Sequence, residues 1–268
     1  MLYIISTPIG NLKDITLRAI EVMSGCCYIL CEDTRVSKNL LAHYKINTPL
    51  ICFHKFNESK IQKKILDDLK NDKVIGLISD AGTPLISDPG QNLIKECYGA
   101  GIKVEAIPGP CSIIQALVLS GFDTHTFQFL GFLPKQKGEL EFSIKKMLFF
   151  EGTSIAFESA RRTEETIEII SRLAPKRRVA VLKEMTKKFE MRLCMEAEML
   201  FKFLKENPLK GEIVLAVEKG EMIDDISNEE CIKLLKSLHG LSLDEAIKVC
   251  AEIKNISKKE LYKAFKIK

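Results

Sequence analysis

The chain has 268 residues, 46% of them hydrophobic and 28% charged, a balance that suits a globular protein of two ordinary domains and excludes a disordered chain. Aliphatic stretches such as Ile213-Val214-Leu215-Ala216-Val217 fall far short of the roughly 20 apolar residues that span a bilayer. No basic segment precedes the apolar residues at the start, so a cytoplasmic protein without a secretion signal is expected. The formal net charge is +4, unevenly spread: residues 233–268 hold nine lysines against four acidic residues, which leaves the remainder at −1.

In chain order, β-rich runs alternate with helical patterns over the first 120 residues. Leu2-Tyr3-Ile4-Ile5 reads as a strand and leads into the turn Thr7-Pro8-Ile9-Gly10-Asn11, then into a helical pattern around Leu17, Ile20 and Met23. Strand-like runs recur at Tyr28 to Cys31, Leu50 to Phe53, Val74 to Ile78 and Ile102 to Ala106. Between them, Ile61, Ile65, Leu66 and Leu69 share one helical face. Such alternation predicts a mostly parallel sheet covered by helices on both sides. A second block has strand runs at Phe127 to Leu130, Ser154 to Phe157, Val179 to Leu182 and Glu212 to Val217, with Phe129 and Phe132 read as core. The predicted organisation is an N-terminal α/β domain over 1–120, a second α/β domain over 121–225, and a basic helical tail over 226–268. Ser242 with Glu245 and Ser257 with Glu260 carry the capping-box signature in that tail.

Nine cysteines, at 26, 27, 31, 52, 97, 111, 194, 231 and 250, include no Cys-x-x-Cys pair, and the four histidines show no helical pairing. Reduced thiols and chemistry without a bound metal are therefore expected. The densest signal is Ser79-Asp80-Ala81-Gly82-Thr83-Pro84-Leu85-Ile86-Ser87-Asp88-Pro89-Gly90, which directly follows an apolar strand. In a parallel sheet, loops after strands surround the ligand crevice. Two glycines, two prolines and two aspartates in twelve residues predict a tight binding loop rather than a surface turn. The turns Thr7 to Asn11 and Pro108-Gly109-Pro110-Cys111-Ser112 follow other strands and complete a set of three. Neither a triphosphate-binding loop nor a Gly-x-Gly-x-x-Gly fingerprint is present.

At this point the residues match a family. Thr7-Pro8-Ile9-Gly10-Asn11-Leu12, Asp14-Ile15-Thr16, Cys31-Glu32-Asp33-Thr34-Arg35, the loop 79–90, Pro108-Gly109-Pro110 and Gly131-Phe132-Leu133-Pro134 occur in order. They are followed by Phe157-Glu158-Ser159, Glu184-Met185-Thr186-Lys187 with Phe189-Glu190, Lys210-Gly211-Glu212, Leu241-Ser242 and Lys259-Glu260-Leu261-Tyr262. Together they resemble the small-subunit ribosomal RNA cytidine 2′-O-methyltransferases, a branch of the tetrapyrrole methylase superfamily (class III methyltransferases). The chain departs from that pattern at Ser6, Cys111-Ser112 and Ala160-Arg161.

The resemblance implies two α/β domains with S-adenosyl-L-methionine in the cleft between them, and a homodimer. It also implies 16S rRNA in the small ribosomal subunit as partner, with the ribose 2′-hydroxyl of a decoding-centre cytidine as methyl acceptor and neither DNA nor a membrane involved. The matching cofactor positions are Pro8, Gly10, Asp80, Ala81, Gly82, Thr83, Pro108, Gly109, Cys111, Phe157, Glu158, Gly211 and Glu212. A ribose hydroxyl is weakly acidic, so its attack calls for a base or an electrostatic stabiliser. Glu32, Asp33, Glu184 and Lys187 are the catalytic candidates, with Glu190 as a further ionisable group. Arg35, Arg162, Lys187, Lys258 and Lys259 are the candidate RNA contacts, Arg35 having local pairing with Asp33 as its alternative. His54 is read equally as a core or a catalytic histidine. Two other readings are a tetrapyrrole or other small-molecule methylase on the same scaffold, and a non-catalytic RNA-binding assembly factor.

Overall fold

A computed structural model describes residues 1–220, 227–254 and 256–266. They fall into two compact units, residues 1–115 with 184–190 and residues 116–183 with 191–268. The division near residue 115 lies five residues before the boundary read from the sequence. The second expected boundary, at 225/226, lies outside the described residues, and the helices that follow it group with the second unit.

The first unit is built on five parallel strands, β1 (Leu2–Ile5), β2 (Tyr28–Cys31), β3 (Leu50–Cys52), β4 (Ile75–Leu77) and β5 (Val104–Ile107), in the order β3-β2-β4-β1-β5. Four helices connect them: α1 (Leu17–Gly25), α2 (Thr34–His43), α3 (Glu58–Lys70) and α4 (Gln91–Gly99). Successive strand residues point to opposite faces, and both faces are covered. Leu2, Ile4, Tyr28 and Leu30 pack with Ile65, Leu69, Leu93 and Cys97 of α3 and α4. On the other face Ile5, Ile29 and Cys31 pack with Ala19, Met23 and Leu41 of α1 and α2. Burial on both sides is why these strands read as continuous apolar runs.

Helix α5 (Ser112–Ser120), in which the division falls, leads to the second unit's β6 (Phe127–Phe132), α6 (Lys137–Phe149), β7 (Thr153–Ser159), α7 (Ala160–Leu173), β8 (Arg178–Lys183), β9 (Met191–Glu196), α8 (Ala197–Glu206) and β10 (Glu212–Val217). The sheet order is β6-β7-β10-β8-β9; only β6 and β7 pair in parallel, the other neighbours being antiparallel. The core joins strand residues Ala156, Val179, Val181, Leu215 and Val217 to helix residues such as Ile144, Ile167, Ile170 and Leu200. Phe132, read as core, is instead 66% exposed. A bulge in β6 between Phe129 and Phe132 is the reason, because an extra residue breaks the alternation of faces.

The tail forms α9 (Asn228–His239), α10 (Leu243–Ile253) and α11 (Lys258–Lys266). They share a core of Cys231, Leu234, Leu235, Ala246, Ile247, Cys250 and Leu261 with Phe149 of α6. Ser242 and Glu245 make the expected reciprocal cap, the Glu245 carboxylate taking Ser242 N at 2.8 Å. Ser227 and Glu230 form a second one, unread from sequence. At Ser257 the bond from Glu260 N goes to the backbone carbonyl, at 3.0 Å.

Candidate active site

All strands of the first sheet are parallel, so the loops after β1, β2, β4 and β5 leave one edge. Backbone and hydroxyl bonds tie three of these loops together. Thr7 and Gly82 form a two-way bridge, N to O 2.9 and 3.0 Å. The Ser6 hydroxyl donates to Thr83 Oγ1 at 3.1 Å, and Thr83 Oγ1 donates to Pro110 O at 3.1 Å, a relay across the loops of β1, β4 and β5. Thr7 Oγ1 donates to Ser79 O at 3.2 Å. A side chain at Gly109 would sit 2.7 Å from Ser6 Cβ, so only glycine lets these two turns approach so closely.

The candidates Gly10, Asp80, Ala81, Pro108 and Gly109 lie exposed along this edge, Thr83 and Cys111 are half-buried, and Pro8 and Gly82 are buried beneath them. In the loop 79–90, Leu85 and Ser87 take left-handed backbone angles, φ 76° and 73°. Non-glycine residues held there cost about 1–3 kcal/mol each and recur at functional sites.

Residues 184–190 group with this unit although they connect β8 to β9. Asn11 N donates to Thr186 Oγ1 at 3.1 Å. A Cβ on Gly10 would lie 2.5 Å from Lys187 Cγ and 3.0 Å from Met185 O. Within the segment Glu184 and Thr186 have φ 51° and 64°, Thr186 N donates to the Glu190 carboxylate at 2.6 Å, and Lys187 Nζ pairs with Glu184 Oε1 at 3.0 Å. Two catalytic candidates, Glu184 and Lys187, thus form an ion pair in a segment resting on Gly10.

The other two behave differently from each other. Asp33 caps α2, its Oδ1 accepting Arg35 N at 2.8 Å, and its carboxylate grips the Arg35 guanidinium at 2.7–3.2 Å. That guanidinium holds the Asp33 carboxyl down to about 2, so it is a weak proton acceptor. Local pairing is therefore the arrangement Arg35 adopts. Glu32 is exposed next to it.

Sequence reasoning passed over Asp88 as a titrating group. Burial, and then the nearby Glu32 charge, push its carboxyl up to about 6, with Asp80 adding to the rise and the Ser79 hydroxyl opposing it. Relative to an ordinary 3.8, the folded chain prefers the proton. The stability this contributes is complete below about pH 4 and is lost as the pH rises through 6. Asp88→Asn is therefore expected to be more stable than the parent above pH 6, by about 1 kcal/mol after solvent screening, and no more stable at pH 4. Urea midpoints at the two pH values check this.

In the second unit Phe157 and Glu158 on β7 lie beside Gly211 and Glu212 at the start of β10, the register pairing Ile213 with Glu158 and Glu212 with Ser159. Gly211 has φ 100°. Glu158 is 3% exposed and its carboxylate is engaged: Oε1 accepts Ser159 N at 2.7 Å, while Oε2 accepts the Thr166 hydroxyl at 2.8 Å and pairs with Arg162 at 3.3 Å. Arg162 also donates to Leu133 O at 3.1 Å and to Pro134 O. Both groups read as site residues are thus committed to holding the turn after β6. His54 is half-buried with its Nδ1 lacking a partner. Lys258 and Lys259 are exposed at the start of α11, Lys258 lying over the Tyr262 ring. Among the described residues no group of three or more His, Cys, Asp or Glu could hold a metal, and no helix is long and apolar enough to cross a membrane.

Residues 1–198 match the family profile for tetrapyrrole (corrin/porphyrin) methylases. The chain belongs to this family. It is 43% identical over 222 residues to a ribosomal RNA small subunit methyltransferase I from Hydrogenobaculum sp. (strain Y04AAS1), covering 81% of this chain and 95% of that one. To a protein of the same name from Halalkalibacterium halodurans it is 36% identical over 271 residues, covering 98% and 94%. Among solved structures it is similar in fold to a diphthine synthase, with TM-score 0.62 and 12% identity over 96% of this chain and 99% of that one.

Proposed function

We infer that the chain is a methyltransferase acting on ribosomal RNA of the small subunit, and propose that it transfers the methyl group of S-adenosyl-L-methionine to the ribose 2′-hydroxyl of a cytidine in 16S rRNA. The supporting observation is the set of three interlocked turns at the sheet edge, in a chain whose relatives of that name align along nearly its whole length. The donor set suits the cofactor. Close-approaching backbone at the exposed Gly109 leaves peptide groups reachable, and the carboxylates of Asp80 and Asp88 suit the end that carries positive charge. When bound, S-adenosyl-L-methionine supplies an electrophilic methyl group. The protein's part is to position the ribose hydroxyl in line and to accept or offset its proton. Asp33, clamped by Arg35, suits that task less than Glu32, Asp88 or the Glu184–Lys187 pair. A cytoplasmic homodimer completes the proposal.

Mass spectrometry of 16S rRNA nucleosides from cells with and without the gene tests the reading. A 2′-O-methylcytidine that persists without the gene would overturn it. At the level of residues, Asp80→Ala is expected to weaken cofactor binding about ten-fold by calorimetry. The residue is exposed, and its carboxylate accepts Asp33 N at 3.1 Å, so thermal stability should change little. For RNA binding, removing the tail would uncover Phe149, which it buries, so charge substitution is the cleaner test. Lys258→Glu with Lys259→Glu should weaken binding to small subunits and lower the log–log salt slope by about 1–2, with cofactor affinity unaltered. Binding curves at four salt concentrations decide this.

A further inference from the structure

We propose that Phe132 is an aromatic platform on which a base of the RNA substrate stacks, flanked by Lys135, Lys137 and Arg161 as phosphate contacts. The proposal rests on the RNA-methyltransferase reading above and adds to it a surface of the second unit that no catalytic or cofactor role explains. Three of its features are independent of one another.

First, the ring is presented by construction. Between the pairs Phe129–Ile155 and Phe132–Phe157, β6 spends three residues against two of β7, and Gly131 takes φ 71° within that bulge. The extra residue turns Phe132 to solvent, where it is 66% exposed, while Leu133 next to it is 3% exposed. Of the three phenylalanines of β6, Phe132 is the most exposed, at 66% against 40% for Phe127.

Second, the ring is held from behind. Phe132 packs against Phe157 at 5.1 Å between centroids, and Phe157 in turn meets Phe129 edge-on at 4.9 Å. The turn that follows is fixed by Arg162, whose guanidinium takes the carbonyls of Leu133 and Pro134 and is itself steadied by the buried Glu158. A pre-set ring loses little freedom when a base covers it.

Third, the surroundings carry the matching charge. Lys135 follows in the same turn, Lys137 opens α6, and Arg161 precedes the clamping Arg162 on α7; all three are exposed and none forms an ion pair among the described residues. An exposed aromatic amid unpaired cations is how proteins hold unstacked nucleotides: the ring takes the base face and the cations take the backbone.

The test uses the full chain and small ribosomal subunits from cells lacking the gene. Phe132→Leu should raise KM for subunits about ten-fold, Phe132→Tyr should stay within about two-fold of the parent, and neither should alter cofactor affinity by calorimetry. Lys135→Gln with Lys137→Gln and Arg161→Gln should flatten the log–log salt dependence of binding by about 2. Equal behaviour of the leucine and tyrosine variants would overturn the platform. So would a loss in Phe132→Leu that tracks weaker cofactor binding, or one that tracks dissociation of a dimer by sedimentation, since the ring would then cover the cofactor or a second copy of the chain. A parent protein that leaves subunits unmethylated would sink the RNA reading itself and the platform with it.

Discussion

Gly10→Val is expected to cut methyl transfer at least a hundred-fold even at saturating cofactor. A Cβ at this position would stand 2.5 Å from Lys187 Cγ, 2.8 Å from Thr186 Oγ1 and 3.0 Å from the Met185 carbonyl. The lysine stem can swing aside; the backbone carbonyl cannot without moving the segment 184–190. That segment carries the Glu184–Lys187 pair, and displacement of about 1 Å in groups that orient a reaction costs on the order of a hundred-fold. Gly10→Ala should fall between parent and valine, because it adds the clash without the two further methyls. Single-turnover rates with saturating cofactor separate this from a binding defect. Rates within three-fold of the parent would show that the 184–190 segment takes no part in the chemistry.

Arg162→Met is expected to be the most damaging single change to stability. It leaves the Glu158 carboxylate, with 1% of its side chain exposed, without its cation, and frees the carbonyls of Leu133 and Pro134. Breaking one side of such a pair costs about 3–5 kcal/mol, or a fall in Tm of roughly 6–20 °C for a chain of this size. Glu158→Gln alone should cost less, since the amide can still meet Thr166, and the double variant should cost less than the sum of the two. Thermal unfolding of the four proteins completes the cycle. An additive cycle, with RNA binding lost and stability retained, would return Arg162 to the role of an RNA contact.

Much of the first unit is legible in its residues because burial on both faces leaves a plain mark. Leu2 to Ile5 and Tyr28 to Cys31 read as strands and are strands to the residue. The three Gly/Pro turns are equally legible, since glycine and proline density reports on backbone geometry that other residues resist. What escapes is whatever depends on residues distant in sequence. The raised Asp88 carboxyl needs Glu32 beside it, and nothing within the loop 79–90 announces that. The capping role of Asp33 was open to sequence reasoning, standing as it does just before α2; the functional density of Glu-Asp-Thr-Arg obscured it. Strand β9, Met191-Arg192-Leu193-Cys194-Met195-Glu196, went unread because its residue types favour helix and its place at the sheet edge leaves only one side paired. Phe132, read as core, is turned outward by a one-residue bulge that residue type alone does not announce.

The assignment of residues 184–190 to the first unit has a consequence for how the chain is made. A ribosome delivers the five strands of that unit within the first 107 residues, yet the piece that seats on Gly10 is translated some 80 residues later. At ordinary rates of synthesis the first unit waits roughly 4–15 s for it. Its sheet can form in that interval, while the surface against which Lys187 and Thr186 rest stays open to water. A nascent chain ending at β8 would thus have a complete parallel sheet whose Gly10 surface is still uncovered.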